Sequence, residues 1–170
     1  MIPAVHVLPG PTLNLLGERE PDIYGATTLK DIEAACRSLG GELGIGIVFA
    51  QTNSEGGLVD LIHTARAEGQ GIVINAAAYT HTSVAVLDAL KTCDAIPVIE
   101  VHLSNPHQRE SFRHMSYVSL AADGVIAGFG MESYMLALRG IVGRLSRRPG
   151  RRRFSHIGTL PHCACLKNVA

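Results

Sequence analysis

The chain has 170 residues, 46% of them hydrophobic, and its 15 lysines and arginines balance its 15 aspartates and glutamates. This length suits one domain with a large buried core, which argues against general disorder. The 18 glycines follow no period, and no apolar run approaches the roughly 20 residues of a membrane helix, so collagen-like and membrane-spanning proteins are excluded.

The hydrophobic pattern alternates between two kinds of segment along the chain. Short continuous apolar runs predict buried strands, and longer runs with apolar residues every three to four positions predict amphipathic helices. In chain order, the predicted elements are a strand at 5–8, a helix at 28–39, a strand at 45–50, a helix at 57–67, a strand at 71–75, a helix at 83–90, a strand at 97–101, a short helical turn at 108–112, a strand at 124–127 and a helix at 131–145.

Caps and glycines mark several of these boundaries. Thr27 or Thr28 can cap the first helix, and the pair Gly40-Gly41 predicts its end. Thr82 or Ser83 can cap the third helix in the same way.

Continuous apolar strands separated by helices are typical of a parallel sheet that is covered on both faces. Five strands within about 145 residues predict a flavodoxin-like, doubly wound α/β fold of three α/β/α layers, with strand order 2-1-3-4-5. We expect residues 1–145 to form this domain and residues 146–170 to form a basic, irregular tail.

Charge is distributed unevenly between these two parts. All 15 acidic residues precede position 133, whereas seven of the 15 basic residues follow Gly143. An acidic body is a poor platform for nucleic acid, and none is expected as a partner. The basic tail could bind polyanions, although a solvated extension is the more common reason for such a block.

Cysteines and termini add little to the functional prediction. The tail contains a C-x-C pair with nearby histidines, but it lacks C-x-x-C spacing and a second pair, so no metal is expected; the four residues are His156, His162, Cys163 and Cys165. Cys36 and Cys93 fall in helical patterns as small core residues. The first residues lack the features of a signal peptide, so a cytoplasmic location is expected.

Polar residues gather after the first, third and fourth predicted strands, which are neighbours in the predicted sheet. Ligands of such folds bind at the carboxyl ends of the strands, so a common crevice is expected there. The residues concerned are Asn14, Arg19 and Tyr24, then Asn75, Thr80 and His81, then His102, Ser104 and Asn105. The alternative is that each is an ordinary polar loop residue.

The crevice residues favour acid–base chemistry on an oxygen-rich small molecule. The loop after the first strand lacks a phosphate-binding pattern, and its prolines remove amide donors, so no nucleotide cofactor is expected. A phenol beside a guanidinium is a usable base, which Tyr24 and Arg19 would supply from a lid-like segment. His102 can donate a proton near neutral pH, and Arg113 can bind oxygens through its planar fork. An ion pair with Glu110 is the alternative role of Arg113, and ring packing is that of Tyr24.

Long segments of the chain resemble type II 3-dehydroquinate dehydratases, in the order found in that family from about residue 4 to residue 142. The matching segments are Leu13-Asn14-Leu15-Leu16-Gly17-Glu18-Arg19-Glu20-Pro21 with Tyr24-Gly25, Gln51-Thr52-Asn53-Ser54-Glu55-Gly56, Tyr79-Thr80-His81-Thr82-Ser83-Val84-Ala85, Ile99-Glu100-Val101-His102-Leu103-Ser104-Asn105 and Phe112-Arg113-His114-Met115-Ser116-Tyr117.

The resemblance implies cofactor-free dehydration of 3-dehydroquinate to 3-dehydroshikimate through an enolate, by a dodecamer of four trimers. In this reaction Tyr24 would remove the α-proton, Arg19 would keep it ionised, and His102 would protonate the departing hydroxyl. The resemblance also implies supporting roles: ring hydroxyls held by Asn75, His81 and Arg113, the carboxylate held by Leu103 and Ser104, His102 oriented by Glu100, and a neighbouring protomer's pocket reached by Asp88. Both shikimate synthesis and quinate breakdown use this reaction.

Two residues depart from the family pattern. Thr12 stands where the family usually has an asparagine that would help to stabilise the enolate, and Ala77 stands where glycine is usual. These changes predict reduced turnover, and they leave open a catalytically weak paralogue that binds cyclic hydroxy-acids as a sensor or scaffold. An electron carrier is disfavoured because the chain has no tryptophan and no Ser/Thr-rich phosphate loop.

Overall fold

A computed structural model describes residues 3–17 and 27–146. Five parallel strands form one sheet in the order β2-β1-β3-β4-β5, which confirms the predicted flavodoxin-like topology. The strands are β1 (Ala4–Pro9), β2 (Gly46–Phe49), β3 (Gly71–Asn75), β4 (Val98–His102) and β5 (Gly124–Ala127). The helices are α1 (Leu29–Leu43), α2 (Glu55–Glu68), α3 (Tyr79–Thr82), α4 (Val84–Lys91) and α5 (Glu132–Ser146).

The helices cover both faces of the sheet. On one face, α1 and α5 bury a cluster that includes Ile32, Val73 and Leu138. On the other face, α2 and α4 bury a cluster that includes Leu58, Ile74 and Val86. The central strands β1, β3 and β4 are almost entirely buried, whereas the edge strands β2 and β5 are partly exposed because each has a neighbour on one side only.

Thr28 caps α1 in a capping box with Asp31, as predicted, but the predicted end of this helix near residue 39 is wrong. The helix continues through Gly40, where glycine is needed because a side chain would collide with the sheet: a Cβ on Gly40 would lie 2.6 Å from Cγ1 of Ile47. Gly44, with φ 70°, ends the helix instead. Close packing on β2 therefore outweighs the helix-breaking tendency of glycine.

Other boundaries differ from the sequence-based prediction by a few residues. Ser54 caps α2, which begins at Glu55, two residues before the predicted start. Ser83 caps α4, as predicted, and the extra turn α3 precedes it. Between β4 and β5 the chain forms three short 3-10 turns at Pro106–Gln108, Ser111–Arg113 and Val118–Leu120.

Both predicted core cysteines are buried, and burial raises the pKa of the Cys36 thiol to about 12. None of the helices in the described residues combines the length and apolar character needed to cross a membrane. The four histidines and cysteines of the predicted tail lie outside the described residues. Within residues 3–17 and 27–146, no group of three or more metal-ligating side chains comes together.

Candidate active site

A cavity of about 190 Å³ opens at the carboxyl ends of β1, β3 and β4, where the sequence predicted a crevice. Its lining combines the apolar side chains of the turn after β1 with polar groups from the other two strands. The predicted site residues that line it are Thr12, Asn75, His81, His102, Leu103, Ser104 and Arg113. Three other predicted crevice residues, Asn14, Thr80 and Asn105, are not among its lining residues.

His102 ends β4 and is bonded to a buried carboxylate. Its Nε2 lies 2.7 Å from Oε1 of Glu100, whose side chain is 0% exposed. The two residues are two positions apart on one strand, so both side chains project from the same face of the sheet. Because a carboxylate only accepts, Nε2 donates, and Nδ1 is the ring nitrogen left for the cavity.

Ser116 completes the environment of the Glu100 carboxylate. Its Oγ donates to Oε1 at 2.8 Å and to Oε2 at 3.0 Å. The backbone amide of Ser119 donates to this same Oγ at 2.9 Å. The buried carboxylate therefore has both an imidazole and a hydroxyl donor, as a buried charge requires.

His81 lies within α3 and lines the same cavity. Its Nδ1 lies 2.7 Å from the carbonyl oxygen of Met115, which can only accept, so Nδ1 carries the proton and Nε2 is an acceptor. The rings of His81 and His102 are stacked, with centroids 6.4 Å apart and planes inclined by 15°. The two imidazoles thus present different hydrogen-bonding edges to one space.

Asn75 is the last residue of β3 and is almost fully buried. Its Oδ1 accepts from the backbone amide of Ala77 at 3.2 Å, which closes a turn at the end of the strand. Since the oxygen is used within the chain, the amide NH₂ is the group that Asn75 can offer to a ligand.

The two departures from the family pattern share a backbone conformation. Thr12 has φ 63° and Ala77 has φ 50°, and no other non-glycine residue in the described ranges has a positive φ. This conformation suits glycine or asparagine, and it is most unfavourable for a β-branched residue such as threonine. The turn is tied to the β2–α2 loop, because the Thr12 amide donates to Oδ1 of Asn53 at 2.8 Å.

Arg113 lines the cavity and also forms the ion pair that the sequence offered as its alternative role. Its Nε lies 2.9 Å from Oε2 of Glu110, and its guanidinium lies over the Phe112 ring at 5.2 Å. The ion pair involves Nε, and a guanidinium has further N–H groups on its outer nitrogens. Pairing with Glu110 is therefore compatible with binding an oxygen ligand.

Three predicted site residues remain, namely Arg19, Tyr24 and Asp88. Arg19 and Tyr24 lie outside the described residues. Asp88 is exposed on α4, with its carboxylate 3.6 Å from Nζ of Lys91, and it does not line the cavity.

Sequence reasoning assigned no role to Ser116, Asn53 or the Met115 carbonyl. Ser116 precedes the 3-10 turn at Val118–Leu120 and Ser119 lies within it, and this S-x-x-S spacing is typical of a local hydrogen bond from the second serine's amide to the first serine's hydroxyl. That pattern does not reveal the contact with Glu100, which lies 16 positions earlier. Asn53 is 41 positions from Thr12, so only the folded sheet brings them together.

Comparison with known proteins agrees with this geometry. A family profile described as "Dehydroquinase class II" matches residues 3–142. A 3-dehydroquinate dehydratase of Streptomyces avermitilis is 60% identical over 134 residues, which cover 79% of this chain and 84% of that protein. A relative of the same name from Methylobacterium radiotolerans is 57% identical over 145 residues, covering 85% of this chain and 97% of its own.

Solved structures show the same likeness in three dimensions. The crystal structure of type II dehydroquinase from Propionibacterium acnes has a TM-score of 0.80 and 44% identity, and the match covers 84% of this chain and 98% of that one. Fold, cavity and sequence therefore lead to one assignment: the chain belongs to the class II dehydroquinase family.

Proposed function

We propose that this chain dehydrates 3-dehydroquinate to 3-dehydroshikimate by cofactor-free elimination through an enolate. The observation that carries the proposal is the His102–Glu100 pair, which opens onto a cavity lined by Asn75, His81 and Ser104. Such an elimination needs a base, an acid and groups that stabilise the intermediate. The curated relatives are named for this reaction, and the family profile spans most of the chain.

His102 is the acid in this proposal. Glu100 accepts from Nε2, so Nδ1 is the ring nitrogen that would deliver a proton into the cavity. As the carbon–oxygen bond of the substrate breaks, this proton joins the departing hydroxyl, which leaves as water. The electrons of the enolate form the new double bond.

Tyr24 is the base, and Arg19 keeps its phenol ionised. Both roles come from the family resemblance, since both residues lie outside the described ranges. The other three tyrosines support the choice, because none of them lines the cavity. The Tyr79 hydroxyl donates to the Asn53 carbonyl, and complete burial raises the pKa of the Tyr134 phenol, which makes that group a poor base.

The remaining cavity residues bind the substrate. The Nε2 of His81, the amide NH₂ of Asn75 and the guanidinium of Arg113 would hold ring hydroxyls. The backbone amides of Leu103 and Ser104, with the Ser104 hydroxyl, would hold the carboxylate at the end of β4. Thr12 stands at the turn where the family uses asparagine to stabilise the enolate.

A route through a lysine Schiff base has no support in the described cavity. Lys30 and Lys91 are both exposed and neither lines it. Elimination by Tyr24 and His102 needs no covalent nucleophile.

Assembly is part of the proposal. We infer a dodecamer of four trimers in the cytoplasm, in which Asp88 reaches the cavity of a neighbouring protomer. Its exposed position on α4 leaves it accessible to a second chain. Sedimentation velocity of the full chain should give twelve times its 18.1 kDa, and a monomer would contradict the inference.

The test of the reaction is the ultraviolet absorbance of the conjugated enone product. Wild-type protein should generate the enone from 3-dehydroquinate, Tyr24→Phe should abolish turnover, and Tyr117→Phe should leave it close to wild type. No enone from correctly folded wild-type protein, or full activity in Tyr24→Phe, would refute the proposed function. Binding of 3-dehydroquinate without enone would instead support a sensor or scaffold, which the close relatives do not favour.

A further inference from the structure

A three-residue segment between the 3-10 turns contacts the supports of both cavity histidines. The Met115 carbonyl accepts from Nδ1 of His81, and the Ser116 hydroxyl donates to Glu100. The Tyr117 amide donates to the Thr80 carbonyl at 2.8 Å, which ties the segment to α3. One short stretch of backbone therefore sets the positions of two stacked imidazoles.

We propose that Ser116 is a positioning residue for the reaction, acting on His102 through Glu100. The inference rests on the proposed function, because it assigns Ser116 a role in preparing the proposed acid. Ser116 itself does not line the cavity, so it would not touch the substrate.

The direction of the Ser116 hydroxyl is determined by its neighbours. Its Oγ accepts from the Ser119 amide, so the hydroxyl hydrogen is left to point toward the Glu100 carboxylate, 2.8 Å and 3.0 Å away. Because this hydroxyl contacts both oxygens of the Glu100 carboxylate, it fixes the orientation of the carboxylate plane. The plane of the carboxylate then decides where Nε2 of His102 can donate, and hence where Nδ1 points.

Burial makes the Ser116 contact important for the orientation of the Glu100 carboxylate. Glu100 is fully buried, and its carboxylate accepts hydrogen bonds from His102 and Ser116. Without the hydroxyl, one side of a buried carboxylate would lose its donor, and a buried charge without full hydrogen bonding is strongly disfavoured. The carboxylate would then rotate toward another donor, and Nδ1 of His102 would no longer point correctly at the leaving hydroxyl.

The closing experiment compares Ser116→Ala, Ser116→Thr and Ser119→Ala with wild type. Ser116→Ala should lower kcat about 10-fold, a typical effect of losing one hydrogen bond to a charged group, with KM within about twofold. Ser116→Thr keeps the hydroxyl and should recover most of kcat. Ser119→Ala is the matched control: it removes a neighbouring hydroxyl that donates to the Ser116 carbonyl, but keeps the amide that orients Ser116 Oγ.

A second readout does not depend on turnover. In NMR spectra of protein with ¹⁵N-labelled histidine, the chemical shift of the His102 Nε2 proton should change in Ser116→Ala and should match wild type in Ser119→Ala. If Ser116→Ala does not fold, Ser116→Cys, whose thiol is a weak donor, should show an intermediate loss of kcat.

Wild-type kcat in Ser116→Ala, or an equal loss in Ser119→Ala, would overturn the role of Ser116. Failure of wild type to form the enone would instead overturn the proposed function, and the histidine signal would still test the hydrogen-bond chain.

Discussion

The backbone amide of Thr12 donates a 2.8 Å hydrogen bond to Oδ1 of Asn53, across the loops that follow β1 and β2. The same oxygen accepts from Nε2 of Gln51 at 2.9 Å, and Gln51 also donates to the Gly10 carbonyl. These bonds hold a threonine at φ 63°, a conformation that its branched side chain disfavours. A strained residue thus lines the cavity, stabilised by a neighbouring loop.

Thr12→Asn should raise both stability and turnover. Asparagine tolerates the left-handed conformation better than threonine, so the free energy of unfolding should rise by up to about 1 kcal/mol. A longer amide should also reach the enolate, where one well-placed donor contributes up to about 3 kcal/mol. The measurements are kcat from the enone assay and urea unfolding. Thr12→Ser is the control, since it removes the branch without adding an amide; no gain in kcat for Thr12→Asn would contradict the argument.

Ala77→Gly should stabilise the fold. Ala77 has φ 50°, where glycine avoids a cost of about 1 kcal/mol. Ala78, the next residue, has φ −62° and provides a matched control. Glycine there relieves no backbone strain and makes the unfolded chain more flexible, so folding costs more entropy. Urea unfolding should therefore show a gain for Ala77→Gly and a loss for Ala78→Gly. Equal losses for the two variants would show that the conformation at residue 77 costs nothing.

The sheet could be predicted from the sequence because its signals are local. The apolar runs at 71–75 and 124–127 coincide with β3 and β5, and the strand order followed from five strands alternating with helices over about 145 residues. The end of α1 could not be predicted, because it depends on how closely Gly40 approaches Ile47 in the folded sheet. At that position, tertiary packing outweighs the low helix propensity of glycine.

The candidate site likewise contains some residues that could be predicted from the sequence and others that could not. Asn75 and His102 could be predicted because they end buried strands that meet at one edge of the sheet. Ser116 could not, because it belongs to an irregular segment without periodicity, and its partner Glu100 reads in the sequence as one acidic residue in an apolar strand. Irregular segments carry no pattern that reveals long-range contacts.

His6 should make the fold less stable in mild acid. It is 2% exposed on β1, its Nε2 has no partner among the described residues, and burial lowers its pKa below 6.5, against a smaller opposing effect of Glu68. The unfolded chain then binds a proton near pH 6.5 that the folded chain does not. Stability is therefore present above pH 6.5 and lost as the pH falls toward the folded pKa, by up to about 1.4 kcal/mol per pH unit.

Urea unfolding of wild type, His6→Leu and His63→Gln at pH 7.5 and 5.5 tests this effect. His63 is exposed on α2, so its variant should keep the wild-type difference between the two pH values. His6→Leu should show a smaller difference, because it has no buried imidazole to protonate. An unchanged difference in His6→Leu would show that other groups cause the pH dependence.

Arg113 can be tested as a ligand-binding residue against its role in an ion pair. The pair with Glu110 lies at the surface and is partly exposed, and surface pairs contribute at most about 1 kcal/mol, so Glu110→Gln should change KM less than about threefold. Arg113→Lys should raise KM about tenfold or more, because an ammonium cannot pair with Glu110 and also present the outer nitrogens of a fork to ring hydroxyls. Steady-state kinetics with the enone assay separates the two roles. If the variants change KM equally, Arg113 acts only through Glu110, and a different residue must bind the hydroxyls at that side of the cavity.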